Sequence, residues 1–199
     1  MHETEAFPHI ETERLLLRPW RESDRAPWAA MNADPRVRAF FPGLLSREAS
    51  DASMNDLAGR LARDGFTFWA VEEKATGAFA GFTGLTRVDF EAAFTPCVEI
   101  GWRLAHAFWG RGLAAEAARA SLDHGFGPLG LEEIVAFAAA GNLRSRRVME
   151  RIGMSRSPDT EFIHPKMPAD HPLQPCVLYR ITRSAHAQSK SRSVEETRS

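Results

Sequence analysis

The chain has 199 residues, 44% of them hydrophobic and 26% charged, which is the composition of an ordinary globular domain with a sizeable core. Its 25 lysines and arginines and 26 acidic residues give a formal net charge of −1. This balance excludes an overall field that favours nucleic acid or a membrane surface, so any site for an anion must be local.

The first residues, 1–9, are predicted to form a flexible N-terminus. The opening sequence MHETEAFPHIETE is acidic and interrupted by proline, unlike a signal peptide, and no apolar run reaches the roughly 20 residues that cross a bilayer. Cys97 and Cys176 are too few for a disulfide framework and too far apart for a CxxC pair, which favours buried free thiols. We therefore expect a cytoplasmic protein with no membrane partner.

Residues 10–183 are predicted to form one domain of mixed strands and helices. In its first half we expect a strand at 14–18, a helix capped at Ser23 or Asp24, a helix from Ser46 to Gly65, and a hairpin of 66–73 and 78–88. The second half should contain strands at 97–105, 132–139, 161–164 and 176–183 and helices at 113–126 and 142–152. A doubly wound fold begins with a strand–helix–strand unit, whereas this order predicts an α/β (α+β) fold whose mixed sheet is covered by helices. The polar tail, 184–199, lacks aromatic residues and periodicity, which predicts disorder.

The stretch WGRGLAAEAA, residues 109–118, raises the question of a phosphate site. From Gly110 it reads G-x-G-x-x-A, which is similar to the dinucleotide-binding fingerprint. That fingerprint requires a glycine directly after a strand and an acidic residue at the end of the next strand. Here HAFW separates the glycine from its strand, and Glu132 and Glu133 precede theirs. The sequence therefore disfavours a nucleotide-binding oxidoreductase.

An anion site at this loop does not depend on that fingerprint. A helix that starts near Leu113 presents unpaired amides and the positive end of its dipole. Gly110 and Gly112 let a phosphate approach the main chain closely, and Arg111 adds a mobile cation. The alternative is a turn into a helix that binds no ligand, and the loop by itself leaves both interpretations open.

The segment GNLRSRRVMERIGM, residues 141–154, predicts a helix that is capped by Asn142 and ended by Gly153. Its apolar face carries Ser145, Val148, Met149 and Ile152, and its opposite, basic face carries Arg144, Arg147 and Arg151. An inward serine is either a satisfied core hydroxyl or a functional group. Because this helix follows the first strand after the glycine loop, both elements are expected near one edge of the sheet.

Together these motifs resemble the GNAT superfamily of acyl-coenzyme A N-acyltransferases, and within it the RimJ/RimL-like group of ribosomal-protein alanine acetyltransferases. The matching segments are TERLLLRP (12–19), EIGWRL (99–104), WGRGLAAEA (109–117) and NLRSRRVMERIGM (142–154), with Tyr179 in the last strand. The resemblance covers roughly residues 10–183. It implies a single domain with a mixed, mostly antiparallel sheet that is flanked by helices and splayed between its central strands.

The resemblance also implies a site for acetyl-coenzyme A, the expected co-substrate. In the family the loop Q/R-x-x-G-x-G/A binds the pyrophosphate through backbone amides. Here Trp109 replaces the first residue, and Gly112 and Ala114 match the other two. The implied contacts are the main chain of Trp102, Arg103 and Leu104, the loop residues Trp109, Gly110, Arg111, Gly112, Leu113 and Ala114, and Asn142 and Ser145 at the pantetheine arm and thioester. No metal is expected.

Transfer of an acetyl group to an amine needs a base for the amine and help for the departing thiolate. Glu99, on the strand that enters the loop, is the candidate general base, and a structural ion pair is the alternative interpretation. Strand alternation places Arg103 on the same face as Glu99. Many family members carry a tyrosine as proton donor where this chain has Met149, so Ser145 is the remaining candidate for a hydrogen bond to the sulfur.

The acceptor amine is expected between the first two helices and residues 156–176. The first region offers Trp28, Phe40, Phe41 and Pro42, and the second, a proline-rich candidate lid, carries His164, Asp170 and His171. These histidines are weak candidates for metal ligands because their spacing is loose, and solvated loop histidines are the alternative. His164 is also a candidate proton acceptor near the amine.

The leading hypothesis is an acetyl-coenzyme A-dependent N-acetyltransferase that acts on a primary amine, at a protein N-terminus or on a small molecule, by direct attack on the thioester. A non-catalytic acyl-coenzyme A-binding or regulatory module is the alternative, because Met149 cannot donate a proton. No direct nucleic-acid partner is expected, and the sequence leaves a homodimer open.

Overall fold

The computed structural model describes residues 9–196, with the side chains of 157–160 and 192–196 outside the description. The predicted flexible segment, 1–9, lies outside it except for His9. The strands are β1 (Ile10–Glu11), β2 (Leu15–Arg18), β3 (Phe68–Glu73), β4 (Ala78–Arg87), β5 (Val98–Leu104), β6 (Glu133–Ala139), β7 (Ser155–Ile163) and β8 (Pro175–Thr182). The helices are α1 (Arg25–Asn32), α2 (Arg47–Asp64), α3 (Leu113–Phe126), α4 (Leu143–Arg151) and α5 (Arg183–Glu196). Among residues 9–196, no helix combines the length and the apolar character needed to cross a bilayer.

The strands form one sheet in the order β1-β2-β3-β4-β5-β6-β8-β7. Neighbouring strands are antiparallel except β5 and β6, which run parallel and share a single register pair, Glu99 opposite Val135. On its other side β5 pairs with β4 along its whole length, from Val98 to Leu104. Because β5 and β6 pair only at Glu99, they separate towards Leu104 and open a slot in the sheet. The predicted mixed, mostly antiparallel sheet with splayed central strands is confirmed.

Helices cover both faces of this sheet. On one face α3 packs against the strands, with Leu122 beside Ile100 in one cluster and Leu113 beside Leu104 in another. On the opposite face Trp28 of α1 packs with Phe82 of β4. Successive side chains of a strand point to opposite faces. The even-numbered residues of β5 therefore face α3, and the odd-numbered ones face α1 and α2.

Local capping signals placed the ends of the longer helices correctly. The hydroxyl of Ser46 accepts a hydrogen bond from the Ala49 amide at 3.1 Å, and α2 ends at Gly65, as predicted. Asp24 occupies the predicted N-cap position of α1, but its carboxylate makes no cap hydrogen bond and accepts two buried hydrogen bonds from Arg18, of 2.7 and 2.9 Å. That pair joins β2 to the start of α1, a contact between separate segments that a local pattern does not reveal.

Where the sequence predicts a disordered tail, 184–199, the structure has helix α5 up to Glu196. The helix lacks an apolar stripe, so hydrophobic periodicity could not reveal it, and polar contacts with α3 hold it. The His186 ring is 8% exposed, with Nε2 2.6 Å from Oδ1 of Asp123 and its centroid 5.2 Å from that of Phe126. The ammonium of Lys190 donates to the same Asp123 oxygen at 2.9 Å.

Candidate active site

Two adjoining cavities lie beside the slot between β5 and β6. The first, of about 400 Å³, is lined by the glycine loop, by α4 and by residues 36–41. The second, of about 380 Å³, is lined by the middle of β5, the end of β6 and residues 164–167. Phe40, Phe41, Trp102, Asn142 and Ser145 line both cavities. The two spaces therefore meet at these five side chains.

The glycine loop forms one wall of the first cavity. Gly112, with φ of 77°, is the N-cap of α3 and adopts a left-handed conformation that other residues reach only with strain. It supplies no side-chain cap, and the Glu116 amide is the one that bonds to the Gly112 carbonyl, so the amides of 113–115 have neither an intrahelical partner nor a cap. Gly112, Leu113 and Ala114 all line the cavity. The predicted anion site thus has bare amides and the positive end of a helix on a cavity wall.

The loop is braced by the N-terminal strands, which the sequence analysis did not foresee. Arg14 Nη1 donates to the carbonyl oxygen of Arg111 at 2.9 Å, and Arg14 Nη2 lies 2.6 Å from a carboxylate oxygen of Glu116 in α3. Thr12 Oγ1 donates to that same carboxylate at 2.6 Å. The motifs TERLLLRP and WGRGLAAEA are therefore parts of one structure. The presence of both motifs in one sequence was the signal that could have indicated this contact.

Arg111 is not the mobile cation that the sequence suggested. Its guanidinium forms an ion pair with Glu73 at the end of β3, whose carboxylate is 8% exposed. Thr76 Oγ1 donates to the same carboxylate at 2.7 Å, and these two hydrogen bonds lower the pKa of Glu73. Arg111 thus fixes the loop to the hairpin, and it is not among the lining residues of the first cavity.

Trp109, in the position where the family pattern has Gln or Arg, closes the end of β5. Its indole Nε1 donates to the Leu104 carbonyl at 2.8 Å, and the Arg144 guanidinium lies 4.4 Å from its ring centroid. This stacking brings α4 against the glycine loop. A tryptophan can therefore hold the loop to the strand through one hydrogen bond and one cation–π contact.

The basic face of α4 lines the first cavity, which the sequence analysis did not predict. The guanidinium-bearing residues of its lining are Arg36, Arg103, Arg144, Arg147 and Arg151, and no carboxylate is among the lining residues that the structure describes. Arg36 is paired with Asp34 at 2.6 Å outside this lining. The first cavity therefore carries an excess of positive charge that the net charge of the chain conceals.

Asn142 and Ser145 begin α4 at the junction of the two cavities. The side-chain oxygen of Asn142, Oδ1, accepts a hydrogen bond from the Ser145 amide at 3.2 Å, which confirms the predicted cap. The side-chain NH2 group of Asn142 is left available. Met149, 2% exposed, lines the second cavity and has no proton to donate. The Tyr179 hydroxyl donates to Glu150 at 3.0 Å and is not part of either lining.

Glu99 lines the second cavity from the face of β5 that was predicted for it. Burial, and to a lesser extent repulsion by Asp89, raises the pKa of Glu99 to about 8, while Arg60 acts in the opposite direction. Within the described part of the chain no basic group lies within 4.0 Å of this carboxylate, so the alternative of a structural ion pair is not observed.

The other titratable groups of the second cavity are neutral or paired. Burial lowers the pKa of His164, whose ring lies 4.9 Å from that of Phe90, and burial raises the pKa of Cys176 to about 11. Lys166 is paired with Asp89 at 2.7 Å. His164 is therefore positioned as an alternative proton acceptor. The cavity around it is otherwise largely apolar, with Phe40, Phe41, Pro42, Phe68, Phe82, Phe137, Met149 and Met167 in its lining.

Trp28 and His171, which were predicted on the acceptor side, line neither cavity. Trp28 is 2% exposed and donates its indole N–H to Ser50 and Ser53, so it lies behind the cavity wall. His171 accepts a hydrogen bond from the Leu173 amide at 3.2 Å and is outside both linings. In the part of the chain that the structure describes, no three His, Cys, Asp or Glu residues are grouped to hold a metal ion.

Comparisons with known proteins identify the family. Residues 14–155 match the family described as Acetyltransferase (GNAT) domain. The chain is 34% identical to the protein YkkB of Bacillus subtilis (strain 168) over 149 residues, which cover 74% of this chain and 86% of that protein. It is 28% identical over 200 residues to the FsC-acetyl coenzyme A-N(2)-transacetylase of Aspergillus fumigatus, with 97% of this chain and 84% of that enzyme covered.

Among solved structures, a GNAT-family acetyltransferase from Bacillus anthracis has a TM-score of 0.72 and 26% identity, covering 89% of this chain and 99% of its own. The single parallel strand pair, the slot beside it and the bare amides at the start of α3 agree with this similarity. The chain belongs to the GNAT acetyltransferase family, and it is an N-acetyltransferase of the kind that transfers an acetyl group from acetyl-coenzyme A to an amine.

Proposed function

We propose that acetyl-coenzyme A binds in the first cavity and a primary amine in the second, so that the acetyl group and the amine meet beside Glu99. The observation that carries this proposal is the junction of the two cavities at Asn142 and Ser145. One side of that junction is cationic, and the other is apolar with a carboxyl group. These are the properties expected for a phosphorylated acyl donor on one side and a neutral amine on the other.

The first cavity fits the charged half of coenzyme A. Arg144, Arg147 and Arg151 of α4 and the bare amides of α3 together suit the pyrophosphate and the 3′-phosphate of that molecule, because phosphates bind helix N-termini and guanidinium groups. The edge of β5 at Trp102, Arg103 and Leu104 does not pair with β6, and apart from the Leu104 carbonyl, which Trp109 occupies, it offers main-chain hydrogen bonds to an extended pantetheine arm. The Asn142 NH2 group, left available by its capping role, is a donor for the same arm.

Glu99 acts as general base in this proposal. The amine nitrogen forms a bond to the acetyl carbon, the carbon–sulfur bond breaks, and Glu99 accepts the proton that the amine loses, directly or through a water molecule. A pKa of about 8 makes the Glu99 carboxylate a stronger base than an ordinary glutamate. The apolar surroundings of the second cavity favour the neutral, nucleophilic form of the amine.

The departing thiolate receives no proton from the position of Met149. Ser145, at the junction of the cavities, donates a hydrogen bond to the sulfur in this proposal, and the proton comes from solvent. Tyr179 does not replace the missing donor, because its hydroxyl is engaged with Glu150. The chain thus depends on hydrogen bonding and solvent where many relatives use a tyrosine.

We place the chain in the RimJ/RimL-like group, on the strength of Trp109 and of the sequence NLRSRRVMERIGM that begins α4. The acceptor that we propose for this chain is a primary amine, at a peptide N-terminus or on a small molecule. Trp109 is compatible with this grouping, because at the position of the family's Gln or Arg it holds the loop through its hydrogen bond to the Leu104 carbonyl.

Two measurements test this function. Thermal unfolding with coenzyme A at 100 times its dissociation constant should show a gain of about 2.7 kcal/mol in unfolding free energy, and NAD should give none. Release of free thiol from acetyl-coenzyme A should then depend on an added primary amine. Stabilisation by NAD alone contradicts the proposed occupant of the first cavity, and binding of coenzyme A without thiol release from any amine contradicts the proposed catalysis.

A further inference from the structure

Arg103 places a largely buried guanidinium group in the wall of the first cavity, against Phe41, one of the side chains at which the two cavities meet. Its Cζ lies 4.7 Å from the ring centroids of Trp28 and Phe41 and 5.2 Å from that of Phe82. Nε and Nη1 are buried, and neither has a hydrogen-bond partner among the described residues. The residue nevertheless keeps partial exposure and belongs to the cavity wall. Three aromatic faces thus surround a cation whose Nε and Nη1 donors have no partner.

A second arginine strengthens the positive charge at this point. The Arg38 guanidinium lies 4.7 Å from the same Phe41 ring, and its Nε donates to the Gly43 carbonyl at 2.6 Å. No described carboxylate lies within 4.0 Å of either arginine. Burial, and secondarily the charge of Arg38, lowers the pKa of Arg103 to about 9. A buried cation without a counter-ion is unfavourable, so keeping Arg38 and Arg103 together lowers the stability of the fold.

The side chain of Arg103 belongs to the acceptor side of the sheet. It shares the odd-numbered face of β5 with Glu99, and Phe41 and Phe82, which pack on it, also line the second cavity. The glycine loop and the start of α3 lie on the opposite face, where Leu104 and Leu113 pack together. Arg103 nevertheless lines the first cavity together with that loop, and its guanidinium lies at Phe41, the side chain through which this cavity meets the second.

No group in the second cavity neutralises the cation. Because its pKa is raised to about 8, Glu99 is mostly protonated at neutral pH, and only its ionised fraction acts as the base. Burial lowers the pKa of His164 and raises that of Cys176, so both are uncharged. Asp89 is already paired with Lys166 and Arg60. The second cavity therefore has aromatic walls and meets an unneutralised positive charge where Arg103, from the first cavity, packs on Phe41 and Phe82. An acceptor with a second positive charge, such as a polyamine, does not fit this distribution.

We propose that Arg103 binds a carboxylate of the acceptor, so that the acceptor is a primary amine with an apolar or aromatic body and an acidic group. This inference rests on the proposed function, which assigns the second cavity to the acceptor. The carboxylate supplies the counter-ion that Nε and Nη1 lack, and the aromatic residues contact the body of the molecule. Arg103 selects the acceptor through a charge-assisted hydrogen bond, and Glu99 takes the proton from its amine.

The test compares two ligands that differ only in charge. Binding of 3-phenylpropionate and of 3-phenylpropanamide to the protein saturated with coenzyme A is measured by titration calorimetry. The carboxylate should bind about tenfold or more tightly than the amide, a ratio typical of one buried charged pair. Equal affinity, or no detectable binding of the carboxylate, overturns the proposal.

Arg103→Gln should reduce the ratio between the two ligands to about 1, and Arg103→Lys should restore part of it. Arg87→Gln is the matched control, because Arg87 also rests on an aromatic ring, 5.4 Å from Phe66, but belongs to neither cavity lining. It should leave the ratio unchanged. A preference that persists in Arg103→Gln, or a variant that loses coenzyme A affinity instead of carboxylate affinity, overturns the proposal.

Arg103→Met provides a second readout, since a purely structural arginine would not tolerate it. An apolar side chain of similar length removes the unpaired cation, so the free protein should unfold at a higher temperature than the wild type. A marked loss of thermal stability in Arg103→Met indicates a structural role and contradicts the proposal.

The failure of this inference can be told apart from that of the proposed function. Thiol release is measured with 4-(aminomethyl)phenylacetate and with its amide as acceptors, and the acid should have the higher kcat/KM. If neither amine releases thiol while the calorimetric preference remains, the catalysis is contradicted and the carboxylate site stands. If both amines are acetylated with equal kcat/KM, the catalysis stands and the carboxylate site is overturned.

Discussion

Glu99 is the residue on which the pH dependence of both activity and stability depends. It sits on β5 at its single register pair with β6, so the slot in the sheet opens next to this carboxylate. Burial and the nearby charge of Asp89 raise the pKa of Glu99 from 4.5 to about 8. The sequence identified the residue and its face, but its electrostatic surroundings come from Asp89 and Arg60 on other segments.

Activity should follow the ionisation of Glu99. With an aryl amine that is neutral over the whole pH range, kcat/KM of the wild type should rise as the pH passes through about 8, because only the ionised carboxylate accepts a proton. Glu99→Gln should lower kcat/KM by about 100-fold or more and remove this rise. Glu91→Gln, a change of an exposed glutamate, is the control. A pH profile that Glu99→Gln leaves intact would assign the base elsewhere, with His164 the next candidate.

The same residue should make the fold less stable at alkaline pH. Between pH 4.5 and about 8 the folded protein keeps a proton on Glu99 that the unfolded chain has lost. Stability therefore falls as the pH rises through this window, by roughly 1.4 kcal/mol for each unit of pKa difference, and then stays constant. Glu99→Gln removes the effect, so its melting temperature relative to that of the wild type should increase from pH 5 to pH 9. A difference that does not vary with pH would show that the carboxyl is not buried as described.

At the scale of whole elements, local patterns identified what local physics determines. α3 spans the predicted 113–126, and α2 lies between the predicted cap at Ser46 and the glycine at its end. Contacts between distant segments were not predictable in this way. Neither the short strand β1 nor the pairing of Arg111 with Glu73 has a periodic signature, and the basic face of α4 could not be assigned to a cavity without knowing what lies opposite.

The brace between the N-terminal strands and α3 should control affinity for coenzyme A. Glu116→Gln removes the charge that holds Arg14 against the loop, and Arg14 Nη1 then loses its fixed position beneath the Arg111 carbonyl. We expect the dissociation constant of coenzyme A to rise about tenfold, because a loop that must be ordered on binding binds less tightly. Titration calorimetry measures the change.

Glu133→Gln, which breaks the ion pair with Arg180 at the start of β6, is the control for that variant and should leave coenzyme A affinity unchanged. An unaltered dissociation constant in Glu116→Gln would mean that the amides of α3 keep their geometry without the brace. In that case the tight turn at Gly112 would itself be sufficient to hold the loop.

On the scale of the whole molecule, charge is unevenly distributed. The formal net charge is only −1, yet the first cavity is lined by arginines and no described acidic residue. Acidic groups such as Glu73, Asp89 and Glu116 are instead used to hold basic residues around the two cavities. Composition alone could therefore exclude a globally basic protein but could not reveal a strongly basic cavity.

α5 takes no part in lining the two cavities, and its attachment to the rest of the domain can be tested separately. No residue of the helix is among the described lining of either cavity, and its contacts with α3 converge on Asp123. Burial acts to raise the pKa of Asp123, but hydrogen bonds from Lys190 and His186 outweigh it, and the net effect is a lowered pKa. The stabilisation from this carboxylate is therefore present above pH 3.8 and is lost only as the pH falls through the lowered value.

Asp123→Asn should loosen α5 at neutral pH without weakening coenzyme A binding. Amide hydrogen exchange across residues 183–196 should accelerate, because a helix with no apolar stripe retains little protection once its ionic contacts are gone. Asp64→Asn, which removes a pair with the adjacent Arg63 at the end of α2, should leave that exchange unchanged. Unchanged protection in Asp123→Asn would show that Arg183, whose guanidinium donates to the Leu131 carbonyl at 3.0 Å, is enough to anchor the helix. Lost coenzyme A affinity would instead show that α5 stabilises the cavities through α3.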